Sequence, residues 1–222
     1  MNPRITQQIF IVFVLLFVSC DKLEKVCQEV GPTMVFWSTK QEINYNASSN
    51  YNKGVKIGKG SYGEVRQCVW PKDLQKSAAI KRVEYGTQLH AELEMMKKLE
   101  GLNIAPSFYG CQWAKEMVPN DPKNPSLGNR RATIVYIVQE LMLGDLDSRA
   151  ALDILHDAPH SIKLKYWLNV VTGFIELNFM GFVHADIKPG NLMMNIDESQ
   201  LLMIDFGLVQ KIKGPHVIAG SP

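Results

Sequence analysis

The sequence predicts an α+β fold, with a β-rich first half and a helical second half. Three observations carry this. Short β-type runs recur between residues 55 and 141, each bounded by turn residues. Apolar residues fall at helical spacing at 87–99 and again after residue 145. The composition is that of an ordinary globular chain: 222 residues, 46% hydrophobic and 21% charged. Strands first and helices second is an α+β order rather than a βαβ alternation.

In chain order, residues 21–50 read as a polar leader with little periodicity. Val55 to Ile57 begins a strand, Glu64 to Trp70 reads as a second and Ser77 to Val83 as a third. Thr87 to Leu99 is a helix, with Leu89, Leu93, Met96 and Leu99 on one stripe. Phe108 to Trp113 and Thr133 to Leu141 are two more strands. Ala114 to Arg131 between them is rich in Pro, Asn, Lys and Asp, and is expected to be a long exposed loop, a candidate for disorder. Asp147–His156 and Ile162 to Met180 are helices, the second with Trp167, Val170, Val171, Phe174 and Leu177 at core spacing. Met193 and Leu201 to Ile204 are short strands around a turn.

Lys+Arg is 24 against Asp+Glu 22, a formal charge of +2, which leaves no basic footprint for nucleic acid. The four cysteines (Cys20, Cys27, Cys68, Cys111) are too few and too scattered for a disulfide scaffold, and none has C-x-x-C spacing. Ile9 to Val18 is an unbroken apolar run after Arg4, followed by small residues up to Cys20. A basic start, a short apolar core and a small-residue end read as a secretory signal over residues 1–20. The run is too short to span a bilayer stably. A buried strand or core helix, or a wrongly placed start, is the other reading. Secretion is therefore the expected localisation, and a cytoplasmic one follows if the first segment is misassigned. Asn46-Ala47-Ser48 is a glycosylation triplet, of a kind that chance often supplies.

Four groups of residues carry chemistry. Gly58, Gly60 and Gly63 form G-x-G-x-x-G. The string is followed by β-type sequence rather than a helix, so the glycines belong to a hairpin whose bare backbone can lie over phosphates. A plain glycine-rich hairpin fits the string equally. Lys81 sits in the short apolar strand Ala78-Ala79-Ile80-Lys81, where an ammonium needs water or a partner. A solvated edge lysine is the plainer option. If there is a partner, helical geometry selects Glu92, which shares the face of Met96 and Leu99, over Glu94. His184 to Asn191 (HADIKPGN) is the densest polar cluster, with Asp186, Lys188 and Asn191 in a Pro/Gly-stiffened loop. A carboxylate can accept a hydroxyl proton, an ammonium can steady a phosphoryl group, and an amide oxygen can bind a hard cation. Asp205-Phe206-Gly207 ends the apolar strand 201–204 with another hard-cation ligand. Taken alone, the loop could equally be a turn cluster.

Together, in this order, the four groups resemble the eukaryotic-type protein kinase family. The separations fit as well: eighteen residues from Gly63 to Lys81 and nineteen from Asp186 to Asp205. The resemblance covers residues 51–222 and implies a two-lobed kinase-like fold, with a β-rich N-lobe at 51–141 and a helical, incomplete C-lobe at 142–222. It implies ATP under Gly58, Gly60 and Gly63, with Val65 and Ala79 on the adenine. Lys81, held by Glu92, would reach the α- and β-phosphates. Gln139 to Met142 would form the hinge, with backbone groups of Glu140 and Met142 reading adenine and Asp145 meeting the ribose. Asp186 would orient the substrate hydroxyl and accept its proton, Lys188 would touch the γ-phosphate, and Asn191 and Asp205 would hold Mg²⁺. His184, Phe206 and Met96 would stack as a spine. Lysine two residues after the catalytic Asp is similar to serine/threonine kinases, and the loop strings are loosely similar to casein kinase-type enzymes. The implied substrate is a protein with a Ser/Thr acceptor; the oligomeric state stays open.

Three departures qualify this. Ala185 stands where the family usually has an Arg that pairs with a phosphorylated loop, so switching by that pair is not expected. Lys81 and Glu92 are closer in sequence than usual. After signal and leader, about 170 residues remain for a fold that usually takes about 250. The expectation is a C-terminally truncated domain that exposes apolar surface on its helical half. An active kinase and a nucleotide-binding pseudokinase or interaction module both remain open.

Overall fold

The computed structural model describes residues 27–31, 33–35, 40–60, 63–69 and 77–212. The signal-like segment, the tip of the glycine hairpin and the chain after residue 212 lie outside them. The chain divides into two compact units. The first comprises residues up to 76, with 80–86 and 109–138; the second comprises 77–79, 87–108 and 139 onward.

The first unit is built on a six-stranded sheet. Its strands are β1 (Gln28–Glu29), β4 (Val55–Gly60), β5 (Gly63–Val69), β6 (Ser77–Glu84), β7 (Phe108–Pro119) and β8 (Asn129–Glu140), in the order β1-β7-β8-β6-β5-β4. Two short strands, β2 (Met34–Val35) and β3 (Glu42–Ile43), pair separately. The β-branched run Ile134–Val138 in β8 is fully buried, as expected of a central strand covered on both faces.

The leader is structural, unlike the weakly patterned segment expected. β1 runs parallel to β7, Gln28 opposite Gln112. Helix α1 (Ala47–Lys53) buries Ala47 and Tyr51 and is capped by Asn46, whose side chain accepts from Ser49 N. The glycosylation triplet is thus a helix start. The boundary expected at residue 51 falls inside α1. Gln112, itself fully buried on β7, clamps the segment: its Oε1 accepts from Ala47 N at 2.7 Å and its Nε2 donates to Thr33 O at 2.8 Å. A disulfide joins Cys27 to Cys111 across 84 residues. The cysteines supply one staple, which a search for a multi-bridge scaffold does not reveal.

The loop expected at 114–131 is also half strand. β7 continues to Pro119 and β8 begins at Asn129, and only 120–128 turn, closed by Asn120 N to Gly128 O at 2.9 Å. Exposure alternates from Ala114 to Val118, so the segment keeps the period of two. Its polar composition hides that period because one face is solvated.

The second unit contains α2 (Thr87–Leu99), β9 (Met142–Asp145), α3 (Arg149–Asp157), α4 (His160–Phe179), β10 (Phe182–Val183), β11 (Leu192–Asn195), β12 (Leu201–Met203) and β13 (Gln210–Lys211). Helix α2 matches its expected bounds and buries Leu89, Leu93, Met96 and Leu99. It groups with this unit although the sequence places it in the N-lobe, because it packs on the 3-10 turn Phe206–Leu208. Ser148 caps α3. Helix α4 buries Val170 and Leu177 as expected, but with Tyr166 and Gly173 beside them rather than Trp167 and Val171. A Cβ on Gly173 would lie 2.8 Å from Met203 Cε, so glycine permits the close approach. Trp167 and Val171, expected in the core, are exposed with Leu164, Leu168, Ile175 and Phe179. The helix is apolar almost all round, so periodicity cannot select the buried stripe. These exposed residues form an apolar face on α4.

Candidate active site

The first unit carries the glycine hairpin. Gly58 pairs with Val65 and Gly60 with Gly63, with a register shift between Lys56 and Gly58. Gly63 has φ +158°, and a Cβ there would fall 2.2 Å from the Arg82 carbonyl oxygen. Close backbone approach to β6 therefore demands glycine at this position. Lys81, half-buried, follows Ala79 and buried Ile80 on β6. Strand alternation puts Ala79 and Lys81 on one face and Arg82 on the other.

In the second unit, Glu92 is buried on α2, on the face that helical geometry selected, and Glu94 is half-buried. The segment after β10 forms a tight polar constellation. Ala185 sits at φ +61°, in the left-handed region, and turns the chain so that Asp186 meets its partners. Lys188 Nζ lies 2.6 Å from Asp186 Oδ2. Asn191 Nδ2 donates to Asp186 O and Oδ2, both at 2.8 Å. The ammonium of Lys188, then the Asn191 amide, hold the Asp186 carboxyl below the usual carboxylate range. It stays ionised at neutral pH and can only accept.

The strand-end acid is coupled to this loop. Ile204 N donates to Asn191 O at 3.0 Å, and His184 Nε2 bonds Ile204 O at 2.9 Å. The His184 and Phe206 rings lie 5.3 Å apart, and buried Met96 lies on α2, which packs on the turn containing Phe206. The three residues expected to form a spine thus belong to one packed group. Asp205 has φ +60°, and its Oδ1 is buried without a hydrogen-bond partner. A buried, unpartnered carboxylate oxygen is costly unless a cation meets it. Because Asn191 commits its Nδ2 to Asp186, its Oδ1 is left to accept. These two oxygens fit a hard cation that takes few protein ligands and completes its shell with water and phosphate oxygens. Among the described residues no cluster of three or more His, Cys, Asp or Glu could hold a metal by itself.

The remaining expected residues are placed as follows. Glu140 ends β8, its N donating to Ser107 O at 2.9 Å and its Oε2 accepting from Ser107 N at 3.1 Å. Its side chain therefore fixes the connection, a role that the hinge expectation did not include. Met142 opens β9 opposite Asn195. Asp145 ends β9, its Oδ1 accepting from Asp147 N at 3.0 Å.

The loop thus holds together a carboxylate, an ammonium and an amide, beside a strand-end acid with an unpartnered oxygen, the kinds of group that phosphoryl transfer employs. The family profile "Protein kinase domain" matches residues 51–221, and the chain belongs to that family. It is 26% identical to the rat interferon-induced, double-stranded RNA-activated protein kinase over 179 residues, 78% of this chain and 34% of that protein. It is 28% identical to the Drosophila melanogaster mitogen-activated protein kinase p38a over 161 residues, 69% of this chain and 40% of that protein. To bovine mitogen-activated protein kinase 13 the identity is 25%, over 77% of this chain and 44% of the relative. The chain thus spans between a third and a half of the length of these relatives.

Proposed function

We propose that this chain is an ATP- and Mg²⁺-dependent serine/threonine protein kinase that transfers the γ-phosphate of ATP to a protein hydroxyl. The observation that carries the reading is the locked Asp186–Lys188–Asn191 loop, tied by hydrogen bonds to the backbone of Ile204, the residue before Asp205. Gly58, Gly60 and Gly63 cradle phosphates with backbone amides. Val65 and Ala79 cover the base, backbone groups of Glu140 and Met142 read it, and Asp145 meets the ribose. Lys81 neutralises α- and β-phosphate charge, with Glu92 as its proposed counter-ion. Asn191 and Asp205 would hold the cation, which, when bound, neutralises phosphate charge. Asp186 orients the acceptor hydroxyl and takes its proton. Lys188, released from Asp186, meets the γ-phosphate. We also propose passage through the secretory route, supported by the Cys27–Cys111 disulfide, a bond typical of oxidising compartments. N-terminal sequencing of a secreted product checks this; a product starting at Met1 refutes it.

Transfer from labelled ATP tests the activity, with Asp205→Asn and Lys81→Ala as controls. Wild-type transfer that both variants lose is the expected result; equal transfer in all three refutes the reading. A second reading, an interaction module that binds nucleotide without transfer, is favoured by the exposed apolar face of α4. Nucleotide-dependent melting shifts without transfer would select it.

A further inference from the structure

The sheet of the first unit carries a cleft of about 590 Å³ that the proposed chemistry does not use. It lies on the face opposite Val65, Ala79 and Lys81, since Glu64, Arg66 and Arg82 alternate with those residues along β5 and β6. Four adjacent strands contribute in spatial order: Glu116 from β7, Tyr136 from β8, Arg82 from β6, then Glu64 and Arg66 from β5. Helix α1 supplies the remaining wall with Ser48, Tyr51 and Asn52, the i, i+3, i+4 face of one helix.

The polar groups are held in place. Arg66 lies 4.7 Å over the Tyr51 ring, and the buried Tyr51 and Tyr136 rings meet edge to face at 5.5 Å. Tyr136 Oη donates to Glu116 and accepts from Ser48 Oγ at 3.2 Å. Arg82 Nη2 lies 2.6 Å from Glu116 Oε2.

Glu64 receives Lys56 Nζ at 2.7 Å, Arg66 Nε at 2.8 Å and Tyr51 Oη at 3.2 Å. It is saturated by two cations, the exposed Lys56 outside the cleft and Arg66 within it; the lining itself carries two guanidiniums and two carboxylates. Arg66 spends only Nε on Glu64, and its Nη1 makes one long bond, to Tyr51 O at 3.4 Å. Arg82 spends Nη2 on Glu116. A guanidinium has five N–H donors, so both keep donors to spare.

We propose that this cleft binds a phosphate monoester through Arg66 and Arg82. Lys56, from outside the cleft, meets Glu64 at 2.7 Å, which leaves the Arg66 fork partly uncommitted and open to an anion. Two partly used guanidinium forks suit three terminal oxygens better than the two of a carboxylate. The volume exceeds what a bare phosphate ion fills, so the ester's organic part has room beside Ser48 and Asn52.

Calorimetric titration of the full chain with phosphoserine amide, serine amide and inorganic phosphate tests this. Phosphoserine amide should bind one to one and serine amide should not. Inorganic phosphate binding more weakly identifies the ester as ligand, and equal binding identifies the free ion. Arg66→Lys keeps the charge but loses the fork, and should weaken binding about tenfold, the worth of one charge-assisted hydrogen bond. Glu116→Gln frees Arg82 and should tighten binding about twofold to fivefold. Lys81→Ala should change nothing, which separates this cleft from the nucleotide site. Absent binding, binding lost in Lys81→Ala, or affinity indifferent to both Arg66→Lys and Glu116→Gln would overturn the proposal. Melting temperatures of the same samples check folding. If Arg66→Lys does not fold, the Glu116→Gln result decides.

Discussion

The molecule holds two polar networks of opposite construction. Around Asp186, partners are two, five and twenty residues apart in sequence. Around Gln112 and Tyr136, they are 20, 65, 79 and 88 residues apart. The first network is a loop that carries its own geometry. The second exists only when the leader, β7 and β8 have met. Local networks place reactive groups with little dependence on global packing; long-range ones report whether the fold has closed. Mutations in the two should therefore fail differently.

The largest expected effect is Asp205→Asn, which should lower phosphoryl transfer by at least about a hundredfold while leaving the melting temperature unchanged. A parallel loss of stability would show that the loop is not autonomous. Cys27→Ser should do the reverse, removing a loop constraint of 84 residues and costing about 2–4 kcal/mol in urea unfolding. Gln112→Ala leaves Ala47 N and Thr33 O without their partner, and should cost about 1–3 kcal/mol. If its cost in the Cys27→Ser background equals that in wild type, leader docking and disulfide act separately. The smallest effect is in pH. Lys56 and then Arg66 lower the Glu64 carboxyl from 4.5 to about 2, and Lys188 lowers Asp186. A folded-state value below the unfolded one contributes stability above the unfolded value. That contribution should be complete above about pH 4.5 and decline toward pH 2. Urea midpoints from pH 6 to 3 measure the slope, and Glu64→Gln should flatten it.

The same contrast explains what the sequence discloses. Asp186, Lys188, Asn191 and Asp205 are legible because their chemistry is compressed into 20 residues with fixed spacing. Glu92 is legible because α2 has one apolar face, so a buried carboxylate stands out against it. The faces of α4 are not, since Leu164, Trp167 and Val171 are as apolar as Val170 and Leu177, and tertiary neighbours such as Ile104 and Met203 at Gly173 decide which side is covered. The leader is misread because its burial rests on Gln112, a lone polar residue distant in sequence. The β7–β8 extension is misread because polar composition outweighs a two-residue period in a one-sided ribbon. Nothing in the spacing of Arg66, Arg82 and Glu116 announces that they converge, because sheet order, not chain order, makes them neighbours.

The anchoring of β1 to β7 also sets a schedule. The long-range partners of the leader's early part, among the described residues, cluster near residue 112: Gln112 itself, Trp113 and Cys111. A ribosome adding about 5–20 residues per second needs roughly 4–17 s to travel the 84 residues from Cys27 to Cys111. For that interval the thiol of Cys27 and the strand pairing of β1 lack their β7 partners, while β4, β5 and β6 are already emerging. The first segment made is among the last to be fitted, so the order of synthesis and the order of assembly run in opposite directions.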